Sequence, residues 1–371
     1  MKNRLREKAL ELGFADIGFA EAKPLDLYIQ EVDSRPPEMY SFTINDTFSL
    51  RRGADIPTKN PWAKSLVVLV RNYHKYQFPR EMTGRIGRCY QVDERKEKKE
   101  EYRQLISYFH FLKSEGIFFF LDQEIPARMA AATAGVANYG KNCFAYANRV
   151  MRGASWLEII PLIMDRELEP DEPTISYNCP SWCRNACMAA CPTKAIYAPG
   201  KINPRRCIAY NSYYGNGITD AELREPMGTW VYGCDRCQQV CPRNAAYENQ
   251  PLPVNIPLEA RAADFRLERL LNMTDEYYTE KIWPLCFYIS RKNKAKWQMN
   301  AARAMGNTTD RDYIPELITA LKNNPDETVR GMCAWALGRL GGEKSKAALE
   351  VRRANDNDLV CREIETALNS L

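Results

Sequence analysis

Eight of the 13 cysteines fall between positions 179 and 241, at spacings that suit metal ligation. The first run, "NCPSWCRNACMAACP", carries Cys179, Cys183, Cys187 and Cys191 and ends in Pro192. Cys207 follows alone, and "GCDRCQQVCP" carries Cys234, Cys237 and Cys241 before Pro242. A four-cysteine run closed by Cys-Pro, paired with a second Cys-x-x-Cys-x-x-x-Cys-Pro run, is the arrangement that holds two 4Fe–4S clusters, the last cysteine of each run crossing to the other cluster. One tight loop cannot wrap four thiolates round a cubane, so crossing is needed. The expected sets are Cys179, Cys183, Cys187 and Cys241 for one cluster, and Cys191, Cys207, Cys234 and Cys237 for the other. Two four-cysteine zinc sites are the rival reading, although zinc knuckles do not require the Cys-Pro crossings. The usual run has two residues between each of its first three cysteines; this one has three, so a redrawn loop round a retained cluster is expected. Cys89, Cys143, Cys286, Cys333 and Cys361 are scattered and read as small buried hydrophobes.

The elements that must position these loops are legible on both sides of them. Leu5, Ala9, Leu10 and Leu12 recur at helical spacing, Gly13 stops that helix, and "ADIGFA" follows as a short strand. "AKSLVVLVRNY" (63–73) and "EGIFFFLD" (115–122) are apolar runs of the kind buried on both faces of a sheet. A charged segment turning amphipathic lies between them as a helix, and "SWLEIIPLIMD" (155–165) completes the alternation. The fold class expected is multidomain: an α/β domain over 1–170, a ferredoxin-like α+β two-cluster module over 171–258, and a linker with all-α HEAT-like repeats over 259–371. The repeat is read from "AARAMGN" (301–307), which recurs as "CAWALGRLG" (333–341) and weakly as "ETALNSL" (365–371).

Composition narrows the class. Apolar residues make up 45% of the chain, no apolar run approaches the length of a bilayer span, and the N-terminal residues lack a signal-peptide core. A cytoplasmic protein without membrane contact is expected, whose reduced thiols bind metal. The formal charge of +5 hints only weakly at a polyanionic partner.

On these motifs the chain resembles the epoxyqueuosine reductase family, cobalamin-dependent iron–sulfur enzymes that complete the queuosine modification of tRNA. The resemblance covers nearly the whole chain. "LELGFADIGFAEAKPL" looks like the family's opening, "AGVANYGKN" (134–142) like its "AGLGWIGKN", and "GASWLEIIPLIMDRELEPD" (153–171) like its strand and acidic linker. "ACPTKAIYAPGKINPRRCIAY" and "YGCDRCQQVCPRN" match closely, and "WQMNAARAMGN" matches the start of the helical repeats. The resemblance implies a corrinoid between the α/β domain and the cluster module, with electrons reaching cobalt through the clusters. Low-valent cobalt would then take part in removing the epoxide oxygen as water.

Carried over residue by residue, the resemblance implies Asp122 as proton donor, although Leu121 occupies the expected register and a strand-end turn aspartate is the other reading. It implies Arg88, Arg128, Lys141, Asn142, Ser155 and Trp156 as contacts to corrinoid or substrate. The family's "RYA…DYH" stretch keeps only Arg88; its Asp-Tyr-His positions read Glu94, Arg95 and Lys96. His74, just after a strand, could line a site at the sheet edge, and His110 reads as a packed helix residue. tRNA is expected to bind the basic stretch from Arg291 to Arg303, with Lys292, Lys294 and Lys296 around Trp297. A flavodoxin or ferredoxin would donate electrons. Two other functions stay open at this stage: a corrinoid iron–sulfur reductase acting on a small molecule, as reductive dehalogenases do, and a non-catalytic two-cluster electron-transfer protein.

Overall fold

The structure, a computed structural model, describes residues 1–40, 48–91, 99–286 and 288–371. The former Asp-Tyr-His positions, Glu94 to Lys96, lie outside the described residues.

Helix Lys2–Glu11 buries Leu5 and Ala9, and Gly13, at φ +90°, turns the chain out of it. Six strands follow in the first part of the chain: β1 (Asp16–Glu21), β2 (Ser65–Asn72), β3 (Phe119–Phe120), β4 (Ala137–Tyr139), β5 (Ala145–Ala147) and β6 (Leu157–Met164). β4 and β5 form a hairpin, and the other four make one sheet in the order β1-β2-β6-β3. Every pairing in that sheet is antiparallel. β2 is buried on both faces, as its unbroken apolar run predicts. Leu66, Val68 and Val70 meet Ala130, Ala134 and Val136 on one side, while Val67 and Leu69 meet Leu5, Phe19 and Tyr108 on the other. The expected strand at 115–122 shrinks to two residues, because β3 is an edge that touches only the Met164 end of β6. Gly18 is required where β1 passes helix Ala127–Thr133, since a Cβ there would stand 2.1 Å from the Ala134 carbonyl oxygen.

The cysteine region is built on two short helices, Ala186–Ala190 and Arg236–Gln239, that pack against each other. Each carries the third or second cysteine of its run and ends just before the crossing one. Between them come a small hairpin, β7 (Ile196–Ala198) with β8 (Lys201–Ile202), and helix Ile208–Tyr214.

Five helices, Lys294–Thr308, Ile314–Asn323, Glu327–Leu340, Glu343–Arg353 and Asp358–Asn369, then stack as a solenoid. The recurring glycines are its contact points: a Cβ on Gly306 would lie 2.9 Å from Ala336, and one on Gly338 would lie 2.7 Å from Ala367. The solenoid core also takes in Met82, Ile86 and Tyr90 from the first part of the chain. Among the described residues no helix is long and apolar enough to cross a membrane.

Candidate iron–sulfur centre and the recess beside it

Cys179, Cys183, Cys187 and Cys241 line one cavity, together with Lys141, Asn142 and Tyr146. Four thiols from both runs meet there, as the crossing demands. Burial pushes the Cys187 thiol up to about 11, and the Cys241, Cys179 and Cys183 thiolates add to the rise. The second set gathers likewise. Cys234 is raised by burial and by the charges of Cys207 and Cys191, and Cys237 by burial and by Cys234, Cys207, Cys187 and Cys191. Iron would reverse this cost, since a cluster is ligated by thiolates. Among the described residues no three Cys, His, Asp or Glu side chains converge as ligands of one metal ion do.

Donors to sulfur are already present. Lys141 N–H points at Cys179 Sγ (3.4 Å), the Tyr146 hydroxyl at Cys241 Sγ (3.1 Å), and Ala195 N–H at Cys191 Sγ (3.2 Å). Such bonds stabilise negative charge on a cluster and tune its potential. Arg243 stacks over the Tyr146 ring at 4.3 Å and donates to Asn138 Oδ1.

The second quartet adjoins a recess at the edge of the sheet. Gln238, next to Cys237, donates to the hydroxyls of Tyr73 (3.3 Å) and Ser155 (2.9 Å). Tyr73 in turn lines a cavity of about 180 Å³, with Arg71, Asn72, Cys89, Gln91, Glu101 and Tyr288 among its walls. The Gln91 side chain is buried, and among the described residues neither its amide oxygen nor its amide nitrogen has a partner.

Beside the recess is a buried polar knot. Arg88 pairs with Glu248 (2.9 Å), lies over the Trp156 ring at 5.1 Å, and gives its backbone N–H to Asp235. Burial holds Asp235 up at about 6 against the pull of Arg88. His74, 4% exposed, sits 5.4 Å from the Trp156 ring and 3.4 Å from an Arg88 nitrogen. Burial first, and then the Arg88 charge, lower it from 6.5 to about 4. The folded protein therefore keeps His74 neutral where the unfolded chain takes up a proton. That contribution to stability is complete above pH 6.5 and is lost as the pH falls from 6.5 through about 4, on the order of 3 kcal/mol in all. His74→Gln is expected to flatten the fall seen by urea unfolding between pH 7 and 5; a slope that persists in the variant would assign the titration elsewhere.

The comparisons with known proteins agree with this geometry. Residues 179–244 match the family model of a 4Fe–4S double cluster binding domain, and residues 285–369 that of HEAT repeats. The epoxyqueuosine reductase of Bacillus subtilis is 31% identical over 252 residues, which are 67% of this chain and 62% of that protein. That of Vibrio cholerae is 28% identical over 376 residues and 91% of each chain. A crystal structure of epoxyqueuosine reductase with an epoxyqueuosine-modified tRNA-Tyr stem loop superposes with a TM-score of 0.83 at 26% identity, covering 100% of this chain and 98% of that one. The chain belongs to the epoxyqueuosine reductase family. It spans 59 to 62% of the length of its Bacillus and Listeria relatives in the aligned stretches.

Within this family member the residues carried over by resemblance separate into four places. Arg88, Ser155 and Trp156 come together in the polar knot: Ser155 N–H donates to Asn244 Oδ1 at 2.8 Å, and Trp156 is fully buried with its indole N–H unpartnered. Lys141 and Asn142 lie at the first thiol cavity instead, Lys141 Nζ donating to Asn185 Oδ1 (2.8 Å) and Asn142 Nδ2 to the Cys237 carbonyl (3.1 Å). Arg128 donates to the Cys143 carbonyl at 2.8 Å and lies over Phe144. Asp122 is apart from the recess. Its buried carboxylate takes Lys59 Nζ at 2.7 Å, Asn60 Nδ2 at 3.1 Å and the Glu124 N–H at 3.0 Å, the last being a local turn bond.

The basic stretch is a correction. Lys296, Trp297 and Arg303 are buried, so they cannot meet tRNA phosphates. Lys296 Nζ donates to the Gly215 carbonyl, Arg303 to those of Gly228 and Trp230, and Trp297 stacks on Tyr232 at 4.7 Å. Only the start of the stretch is outside: Arg291 lies over Trp283, Lys292 is exposed, and Lys294 pairs with Asp275. Helix Lys294–Thr308 is covered on both sides, by the solenoid and by the cluster module, and its cations anchor it to backbone carbonyls. Gln91, Tyr288 and Glu101 at the recess carry no sequence signal, being isolated in unrelated segments.

Proposed function

We propose that this protein reduces epoxyqueuosine in tRNA to queuosine. The observation that carries the reading is the line from two thiol quartets through Cys237, Gln238 and Tyr73 to a base-sized recess, in a member of this family. Removing an epoxide oxygen as water takes two electrons and two protons and leaves a carbon–carbon double bond. Two clusters in series deliver electrons singly to such a site. The division into 1–170, 171–258 and 259–371 serves this as substrate, electron-transfer and scaffold parts.

A modified base must leave its stack to enter a recess. Gln91 offers one amide donor and one acceptor side by side, the pattern that pairs with a purine-type edge. Tyr73 and Tyr288 supply flat walls for it. A corrinoid suits the neighbouring knot, because His74 Nδ1, Arg88 Nε and Trp156 Nε1 are buried polar atoms without partners among the described residues. Such atoms are rare in folded proteins unless a bound group completes them. When bound, the corrinoid would supply the redox chemistry at the epoxide; Arg88, the partly exposed member of the knot, would hold it, with His74 and Trp156 buried behind.

The acid in this reading is Asp122. Release of its loop from Lys59 and Asn60 would be required, and a relative from Bacillus subtilis is described with its catalytic aspartate loop swung out of the active site. Asp122→Asn is expected to lower turnover at least about 100-fold with clusters intact; full turnover would leave Asp122 an ion-pair partner only. The decisive experiment for the whole reading is anaerobic reconstitution with iron, sulfide and cobalamin on epoxyqueuosine-containing tRNA. Queuosine, scored by nucleoside mass, is expected. Absence of product with both clusters and corrinoid bound would overturn the tRNA substrate.

A further inference from the structure

The lengthened spacing between Cys179 and Cys183 has a visible product. Cys183 N–H bonds back to the Pro180 carbonyl at 2.9 Å, closing a turn that leaves Trp182 69% exposed beside the first thiol cavity. Tyr177, two residues before Cys179, is about half exposed. Tyr177 is adjacent to Gly200, whose N–H bonds to the carbonyl of Lys141, and Lys141 reaches Cys179 and Asn185. Charge along this segment of the sequence is one-sided. From 173 to 219 the chain carries Arg184, Lys194, Lys201, Arg205 and Arg206 and no Asp or Glu, although the whole chain has 52 basic and 47 acidic residues. Lys201 and Arg206 pair with Glu31 and Glu222, while Arg184 and Lys194 stand exposed.

We propose that this face docks a small acidic flavodoxin-type protein, which reduces the first cluster across the Cys179–Cys183 loop. The assignment rests on the two-cluster reading above. Trp182 and Tyr177 are flat apolar surfaces suited to the exposed edge of a flavin, and Arg184 and Lys194 complement an acidic rim. Cys179 and Cys183, on either side of Trp182, are partly exposed, and Cys237 of the second quartet stands next to Gln238, which bonds Tyr73 at the recess. In the step itself the anionic flavin hydroquinone gives up one electron to become the neutral semiquinone, and the oxidised cluster gains that electron. No bond forms or breaks and no proton moves.

The test is stopped-flow bleaching of the clusters in the reconstituted full chain, with a flavodoxin in its hydroquinone form or with dithionite. Trp182→Ala and Arg184→Glu are each expected to slow reduction by flavodoxin about tenfold or more and to leave the dithionite rate unchanged. Trp182→Phe should keep most of the rate, and the wild-type rate should fall with added salt. An unchanged flavodoxin rate in both variants overturns the proposal. So does an equal loss with dithionite, which would mean a damaged cluster, or weakened stem-loop binding with flavodoxin reduction intact, which would make the face an RNA surface. A wild-type protein that dithionite does not bleach overturns the cluster reading itself.

Discussion

Cys241→Ala and Cys187→Ala are expected to lose the same cluster, although the two residues belong to different sequence runs. Each variant should hold about four iron atoms per chain where the wild type holds about eight, and the EPR signal of the reduced protein should be the same in both. Cys191→Ala should instead match Cys234→Ala. The reason is geometric: Cys241 lines the cavity of Cys179, Cys183 and Cys187, while the thiols around Cys234 are Cys207 and Cys191. Two zinc sites built from uncrossed runs would give the opposite grouping. Iron analysis and EPR of the four variants decide it, and a Cys241→Ala spectrum that matched Cys234→Ala would sink the crossed assignment. Cys183→Ala belongs with the first pair; the longer loop should not change which cluster is lost.

Arg303→Ala is expected to cost about 3 to 5 kcal/mol of stability. Arg303 is fully buried, and its guanidinium donates to the carbonyls of Gly228 (2.6 Å) and Trp230. Burial lowers it to about 9, so it stays charged at neutral pH. The side chain joins helix Lys294–Thr308 to the segment leading into Cys234. Removing it leaves the Trp230 carbonyl without its donor, at about 1 to 3 kcal/mol, while the Gly228 carbonyl keeps the Asn307 amide, and opens a cavity between the solenoid and the cluster module. Arg303→Met refills much of the volume and should recover part of the loss without the hydrogen bonds. Urea unfolding of the full chain measures this. A loss under about 1 kcal/mol for Arg303→Ala would show that Arg303 does not anchor the solenoid to the cluster module.

The cation-rich helix shows where reading residues in line goes wrong. Lys296 and Arg303 look like a phosphate-binding stretch because charge is normally on the surface. Whether a helix has one covered face or two depends on what packs against it, and that is a property of the assembled layers. Trp297 and the small residues Ala301, Ala302 and Ala304 did signal burial of one side. The second side is covered by residues around 212–231, distant in sequence.

What the sequence determined by itself is what local spacing can encode. The two cysteine runs mark a double-cluster domain, an apolar run of five residues, 66–70, defines β2, and Gly306 and Gly338, one repeat apart, mark the helix contacts. The order of its motifs already points to the epoxyqueuosine reductase family. Tertiary structure alone decided the rest. The recess draws its walls from segments near 71–76, 89–91, 101, 157–158 and 285–288, and no periodicity links residues so far apart. It moved Lys141 and Asn142 to the thiol cavity, enclosed Asp122 with Lys59, and brought Gln91 to the recess. The unusual spacing between Cys179 and Cys183 was plain in the sequence; that it raises Trp182 into solvent followed only from how the turn closes.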